Sequence, residues 1–191
     1  LNNKCNLLID EFIKYQAGLN TLESKHELVL CPSDLYLSRF SLTNFKLGSQ
    51  NVGSNYEGAF TGEVSASQLK ALNVRYSIVG HSERRKYQKE SNEEINKKIG
   101  MLLDNEITPI LCVGENKNEK EANMTIVKIM TEIKDAFKDI EDTSKIIIAY
   151  EPVWAIGTGN TPNREEIDNV LRKIKEDYPE NLLLYGGSLS A

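Results

Sequence analysis

Cysteine is scarce in this chain, and its few copies exclude a complete disulfide framework. The three cysteines, Cys5, Cys31 and Cys112, are an odd number, so they cannot all pair within one chain. Cys31 and Cys112 lie in apolar, strand-like runs, where a thiol behaves as a small hydrophobic side chain. Only two histidines accompany them, and we expect reduced thiols and no metal ion.

Long apolar runs and an excess of positive charge are also missing. No segment reaches the roughly 18 consecutive apolar residues of a membrane-spanning helix, and the N-terminus lacks the regions of a signal peptide. The 28 acidic residues outnumber the 23 basic ones, which gives a formal net charge of -5 without a basic stripe. These absences argue against membrane and nucleic-acid partners, and we expect a cytoplasmic protein.

What the chain does contain is a regular alternation of apolar runs with helical patterns. Its 191 residues suffice for one well-filled core, and no linker or low-complexity tract divides them, so we expect a single domain over residues 1–191. The alternation predicts a parallel sheet with helical crossovers, either doubly wound or closed into a (β/α)8 barrel. The predicted strands are Glu27–Cys31, Phe45–Gln50, Val74–Val79, Thr108–Val113, Lys145–Tyr150 and Asn181–Tyr185, and the predicted helices are Asn3–Leu19, Asn92–Asp104, Glu119–Phe137 and Arg164–Tyr178.

Polar residues directly after several of these strands favour the barrel. A dinucleotide-binding sheet would open its first helix with Gly-x-Gly-x-x-Gly, and no such segment is present. A barrel instead assembles its active site from the carboxyl ends of several strands. The residues in question are Asn51, Gly80–Glu83, Gly114 and Glu115, Glu151, and Gly186–Ser188.

The segment Ala149–Gly159 carries the most chemical information. Glu151 follows a continuous apolar strand, and Pro152 then ends the strand before a loop that contains the only tryptophan and two glycines. A carboxylate there can serve as a base at the root of a lid, while a buried structural ion pair is the alternative reading of Glu151.

Several motifs, in their order along the chain, resemble the triosephosphate isomerase family. The resemblance extends over essentially the whole sequence, and it implies a (β/α)8 barrel that interconverts dihydroxyacetone phosphate and glyceraldehyde 3-phosphate in glycolysis and gluconeogenesis, without metal or cofactor. The motifs are Gln50-Asn51-Val52, Gly58–Ser65, Val79-Gly80-His81-Ser82-Glu83-Arg84-Arg85, Leu111–Glu115, Ala149–Gly159 and Tyr185-Gly186-Gly187-Ser188.

The same resemblance assigns roles to individual residues. Glu151 is implied to be the base that moves a carbon-bound proton, and His81, at the start of a short helix, to be the neutral imidazole that polarises the substrate oxygens. Gly157 and Ser188 are implied to hold the phosphate of the phosphorylated triose. Ser82 and Glu83 are expected beside the catalytic groups, although a solvated acid is the simpler reading of Glu83.

The resemblance also implies a homodimer. In the family, the loop corresponding to Gln50–Glu63 docks into a second subunit. Thr61 would reach the active site of the neighbouring subunit, and Glu63 would form an ion pair with an arginine that matches Arg84.

The first and eighth strands of the family's barrel are not among the predicted strands, which complicates this interpretation. Only six of the eight barrel strands are visible, which suggests truncation at both ends. We expect the first strand, with its Asn-x-Lys motif, and the eighth strand to be absent. The rival hypothesis is therefore a non-catalytic fragment that acts in assembly through the Gln50–Glu63 loop, and another phosphosugar isomerase on the same barrel is a third possibility.

Overall fold

The computed structural model describes residues 1–156 and 161–187 of the chain. Within these ranges six strands alternate with seven α-helices, which confirms the predicted fold class as six strands of a (β/α)8 barrel. The strands are β1 (Val29–Leu30), β2 (Lys46–Ser49), β3 (Tyr76–Val79), β4 (Thr108–Val113), β5 (Ile147–Tyr150) and β6 (Leu183–Tyr185). The helices are α1 (Ile9–Leu19), α2 (Ala66–Ala71), α3 (Ser82–Tyr87), α4 (Asn92–Asp104), α5 (Lys117–Glu121), α6 (Thr125–Ala136) and α7 (Arg164–Asp177), with 3-10 turns at Asp34–Arg39 and Thr143–Lys145.

The described chain forms two compact units, and the first comprises Leu1–Val79 and Met101–Pro109. In this unit β1 pairs in parallel with β2, and β2 pairs in parallel with β3. Phe12 of α1 is fully buried and packs in a cluster with Leu30, Leu42 and Phe45, and its ring stacks on Tyr36 at a centroid distance of 5.3 Å. The apolar side of α1 thus supplies the core of this unit.

The first residues of the chain extend beside β1 instead of beginning a helix. The terminal ammonium group donates to the Val29 carbonyl at 2.6 Å, and Asn2 forms an isolated parallel bridge with Cys31. Backbone groups committed to a neighbouring strand cannot also close helical turns. The predicted helix start at Asn3 is therefore wrong, since α1 begins at Ile9.

The second unit comprises Gly80–Gly100 and Ile110–Ala191. Residues from Ile110 onward in β4 pair in parallel with β5, which pairs in parallel with β6. Val113 lies opposite Tyr150, and Tyr150 lies opposite Tyr185, so the three strands end at the same level. The residues that follow them emerge side by side at the carboxyl edge, where barrels of this kind build their active sites.

The helical pattern between β4 and β5 is interrupted. The predicted helix Glu119–Phe137 is wrong as a single element, because α5 ends at Glu121 and α6 begins at Thr125. Asn123 lies between them with a φ of 57°, a left-handed conformation that asparagine tolerates better than most residues. In the part of the chain that the structure describes, no helix is both long and apolar enough to cross a membrane.

Candidate active site

Strand β5 delivers Glu151 to the carboxyl edge of the second unit. Ile148, Ala149 and Tyr150 are buried, as expected for a strand covered on both faces, and Glu151 is only 5% exposed. The Glu151 N–H donates to the Val113 carbonyl at 2.8 Å, so the pairing with β4 continues for one residue beyond the strand. The backbone of this buried carboxylate is thus held as firmly as the strand itself.

Glycines on both sides allow close approach to Glu151. A Cβ atom added at Gly114 would lie 1.7 Å from the Glu151 carbonyl oxygen, and one added at Gly186 would lie 2.9 Å from its Cγ. Real Cβ atoms do not come so close to other atoms, so both positions require the absence of a side chain. The glycines after β4 and β6 therefore form the walls of the Glu151 site.

His81 enters the same site from the turn before α3. Gly80 turns the chain with a φ of 68°, a left-handed conformation that suits glycine, and His81 then caps the N-terminus of α3. Its Nδ1 atom accepts a hydrogen bond from the Glu83 N–H at 3.2 Å. Because Nδ1 accepts, the proton of a neutral ring resides on Nε2, the atom that faces Glu151.

The structure brings three of the predicted site residues together. His81 Nε2 lies 3.3 Å from Glu151 Oε1, and the Ser82 N–H donates to Glu151 Oε2 at 3.3 Å. Glu83 is half-exposed, and its Oε2 lies 3.6 Å from His81 Nδ1, on the far side of the ring from Glu151. A proton acceptor and an N–H donor therefore face each other at the strand ends, which is the arrangement needed to remove a proton next to a carbonyl and to stabilise the resulting oxyanion.

The segment after Glu151 is anchored through Trp154. The indole N–H donates to Glu115 Oε1 at 2.8 Å, and the Tyr150 hydroxyl donates to the same oxygen at 3.2 Å. Burial raises the pKa of the Glu115 carboxyl, and it also raises the pKa of the Tyr150 hydroxyl. One oxygen of the buried Glu115 carboxyl is therefore held by two neutral donors.

Lys120 lies over the Trp154 ring, 3.3 Å from its centroid, and pairs with Glu166 of α7 at 2.8 Å. Trp154 is therefore covered by a side chain of α5 that also pairs with α7. The two residues predicted to hold phosphate, Gly157 and Ser188, lie outside the described residues.

The residues predicted for a dimer contact lie in different units. Thr61 and Glu63 belong to the exposed part of the loop after β2 in the first unit, where the Glu63 N–H donates to the Phe60 carbonyl at 3.0 Å. Arg84 belongs to α3 of the second unit, and its Nε donates to the buried carboxylate of Glu90 at 3.2 Å. The contact of this loop with a second subunit stays a prediction.

One motif expected to be absent is present at the start of the chain. Residues 2–4 read Asn2-Asn3-Lys4, which is an Asn-x-Lys sequence, and Asn2 pairs with the end of β1 as a neighbouring barrel strand would. The expectation that this motif is missing was therefore wrong. The sequence itself carries the signal, which the helical pattern from Asn3 onward conceals, since α1 begins only at Ile9.

The Lys4 backbone has an unusual conformation that nearby hydrogen bonds hold in place. Its φ is 51°, a left-handed conformation rare for a residue with a long side chain. The Lys4 N–H donates to Asn2 Oδ1 at 2.8 Å, and Gln50 Nε2 donates to the Lys4 carbonyl at 2.9 Å. Strained backbone held by surrounding hydrogen bonds is typical of functional positions.

Comparisons with known proteins find similar sequences of one family. A sequence model of the triosephosphate isomerase family matches residues 1–191. The triosephosphate isomerase of Mesomycoplasma hyorhinis is 46% identical over 179 residues, which cover 92% of this chain and 73% of that protein. The triosephosphate isomerases of Clostridium tetani and Dictyoglomus turgidum are 39% and 41% identical, with 98% and 95% of this chain matched to 80% and 79% of theirs.

Among residues 1–156 and 161–187, no three histidine, cysteine, aspartate or glutamate side chains are grouped as metal ligands would be. What the described residues do bring together at the carboxyl edge is a buried carboxylate and an imidazole, with a backbone N–H beside them.

Proposed function

This chain belongs to the triosephosphate isomerase family, and we propose that Glu151 and His81 carry out the interconversion of dihydroxyacetone phosphate and D-glyceraldehyde 3-phosphate. The 3.3 Å approach of His81 Nε2 to the buried Glu151 carboxylate carries the proposal. The pairing of a glutamate base with a neutral histidine is already known for this family and is adopted from it.

In the forward direction the Glu151 carboxylate removes a proton from the carbon that bears the hydroxyl group, next to the ketone. The electron pair of that C–H bond forms a C=C bond, and the ketone oxygen gains the negative charge. The His81 Nε2–H donates to this oxygen and assists proton exchange between the two oxygens. Glu151 then returns a proton to the adjacent carbon, which yields the aldehyde.

Burial of the base supports this chemistry. A carboxylate that is 5% exposed has little water around it, so little solvent must be displaced when the substrate carbon approaches its oxygens. The Pro152–Ile156 segment, tied to Glu115 through Trp154, adjoins the base, and closure of this lid is the family's known means of excluding water.

We further propose that Lys4 supplies a full positive charge for the phosphorylated triose. The support is the Asn2-Asn3-Lys4 motif together with the left-handed Lys4 backbone and its two hydrogen bonds. Gly157 and Ser188 remain the proposed phosphate ligands on the strength of the resemblance alone. A cytoplasmic homodimer, with Thr61, Glu63 and Arg84 at the contact, is the assembly that we propose from the same resemblance.

A coupled dihydroxyacetone phosphate isomerisation assay tests the proposal. Replacement of the base in Glu151→Ala is expected to lower kcat by about 10²- to 10⁴-fold, because general base catalysis contributes about this much. Glu180→Ala, which removes an exposed carboxylate outside the site, is the matched control and is expected to keep the full rate.

An unsubstituted protein that is folded but no more active than Glu151→Ala would overturn the proposed function. That result would favour the rival hypothesis, a non-catalytic chain that acts in assembly.

A further inference from the structure

Glu132 is a buried carboxylate that the proposed mechanism does not use. It lies on α6 and is only 2% exposed. One of its oxygens faces the Gly114 N–H, and the other faces Arg85 and Lys128. A carboxylate is costly to bury unless hydrogen bonds or opposite charges compensate it. Its partners therefore indicate what it is there to hold.

The first partner leads to the catalytic base. Glu132 Oε2 accepts a hydrogen bond from the Gly114 N–H at 3.0 Å. Gly114 is the residue against which the Glu151 carbonyl rests, at a distance that leaves no room for a Cβ atom. Because the Gly114 backbone is fixed from α6, the Glu151 backbone is fixed as well.

The second partner leads to the catalytic histidine. Glu132 Oε1 lies 3.5 Å from Arg85 Nη1, and Arg85 Nε donates to the Gly80 carbonyl at 2.8 Å. Gly80 is the left-handed residue whose conformation sets the direction in which His81 leaves the turn. Arg85 also donates to Asn92 Oδ1 at 2.6 Å, which fixes its guanidinium plane.

Glu132 therefore links the end of β4, against which Glu151 rests, to the end of β3, from which His81 emerges, by way of Arg85. Lys128, one turn earlier on α6, lies 3.1 Å from Glu132 Oε1 and supplies further compensation for the buried charge.

We infer that Glu132 is a positioning residue, which sets the separation of Glu151 and His81 by holding Gly114 directly and Gly80 through Arg85. This inference rests on the proposed function of Glu151 and His81. Because Glu132 acts on the geometry of the catalytic pair, loss of its carboxylate should affect the chemical step more than substrate binding.

The test compares Glu132→Ala, Glu132→Gln and Arg85→Lys in the isomerisation assay. For Glu132→Ala, kcat is expected to fall by about 10- to 100-fold with KM changed less than about twofold, because small misplacements of catalytic groups have effects of this size. Glu132→Gln should lose clearly less, since its amide oxygen can still accept from the Gly114 N–H. Arg85→Lys keeps the charge but loses the Nε donor to the Gly80 carbonyl. Because the two residues act together, the fall in kcat of the double variant with Glu132→Ala should be smaller than the product of the two single falls.

The control is Glu119→Gln, which removes another carboxylate partner of Lys128, at 3.4 Å, without touching Gly114 or Arg85. Its kcat should equal that of the unsubstituted protein. Circular dichroism at the assay temperature establishes that each variant is folded, and if Glu132→Ala does not fold, Glu132→Gln and Arg85→Lys decide the question.

The inference is overturned if folded Glu132→Ala keeps kcat within about twofold of the unsubstituted protein. If Glu132→Ala does not fold, the inference is overturned when both Glu132→Gln and Arg85→Lys keep kcat within about twofold. It is also overturned if only the melting temperature falls, as expected of a merely structural residue. An inactive unsubstituted protein would instead count against the proposed function, so the two failures are distinguishable.

Discussion

Replacement of Gly114 by alanine is the sharpest perturbation of the Glu151 site that the structure allows. The added Cβ would lie 1.7 Å from the Glu151 carbonyl oxygen and 2.7 Å from its carbonyl carbon. Backbone atoms cannot rotate away as a flexible side chain can. To reach the lower limit of 3.0 Å seen for real Cβ contacts, the two chain segments must separate by more than 1 Å.

This separation sets the expected magnitude. Misplacement of a catalytic group by about 1 Å costs about 100-fold in rate, so kcat of Gly114→Ala should fall by at least this factor. In free energy this corresponds to about 2.7 kcal/mol of lost transition-state stabilisation. The forced contact should also lower the free energy of unfolding by about 1–3 kcal/mol, as overpacking of a core does.

The assay is isomerisation of dihydroxyacetone phosphate by variants that circular dichroism shows to be folded. Gly100→Ala is the matched control, because Gly100 lies within α4 and an added Cβ there meets nothing within 4 Å. This substitution should leave kcat unchanged and stabilise the protein by about 0.5–1 kcal/mol, since alanine favours helices more than glycine does. A folded Gly114→Ala protein with kcat within about threefold of the unsubstituted protein would refute the argument from close approach.

Three further predictions concern other parts of the molecule. Glu115→Gln should raise the melting temperature at pH 8 and not at pH 4. Burial raises the pKa of Glu115, so the folded state favours the protonated carboxyl. The stability that the protonated carboxyl contributes is complete below the unfolded pKa near 4.5 and is lost as the pH rises through the folded pKa. An equal effect of Glu115→Gln at both pH values would contradict this reasoning. Thiol titration at pH 8 should label Cys5, which is exposed, well before Cys31, whose pKa burial raises to about 11; equal labelling rates in the native protein would count against the burial of Cys31. Lys4→Met should lower kcat/KM by about 100-fold or more, as loss of one preorganised stabilising group does, whereas the exposed Lys25→Met should not. Unaltered kinetics of Lys4→Met would exclude the proposed role of Lys4.

The sequence predicted the strand ends of the second unit well, for a physical reason. The run before Glu151 is apolar throughout and is ended by Pro152, so both the strand and its last residue are determined locally. The same holds for His81, where Gly80 and the polar residues that follow signal a turn into a helix. In both cases one short segment contains all the information that the fold uses.

Other features depended on contacts that no short segment reveals. The residues from Asn3 onward fit a helical pattern, yet their backbone pairs with Cys31, which is distant in sequence. In the sequence, Glu132 is one charged residue among several in the helical pattern between β4 and β5, and only the packing of α6 against Gly114 and Arg85 distinguishes it from its exposed neighbours. Long-range partners of this kind require the three-dimensional structure.

The intrinsic fluorescence of Trp154 can report on the segment that contains it. It is the only tryptophan of the chain, so the indole emission is not a mixture of several sites. Its N–H donates to Glu115, which follows β4, and the Lys120 ammonium group of α5 lies 3.3 Å from the ring centroid, so the polar groups that influence the excited indole are held by β4 and α5. Movement of the segment after Glu151 should therefore change the wavelength and intensity of the intrinsic fluorescence, so any such movement can be followed in solution without a label.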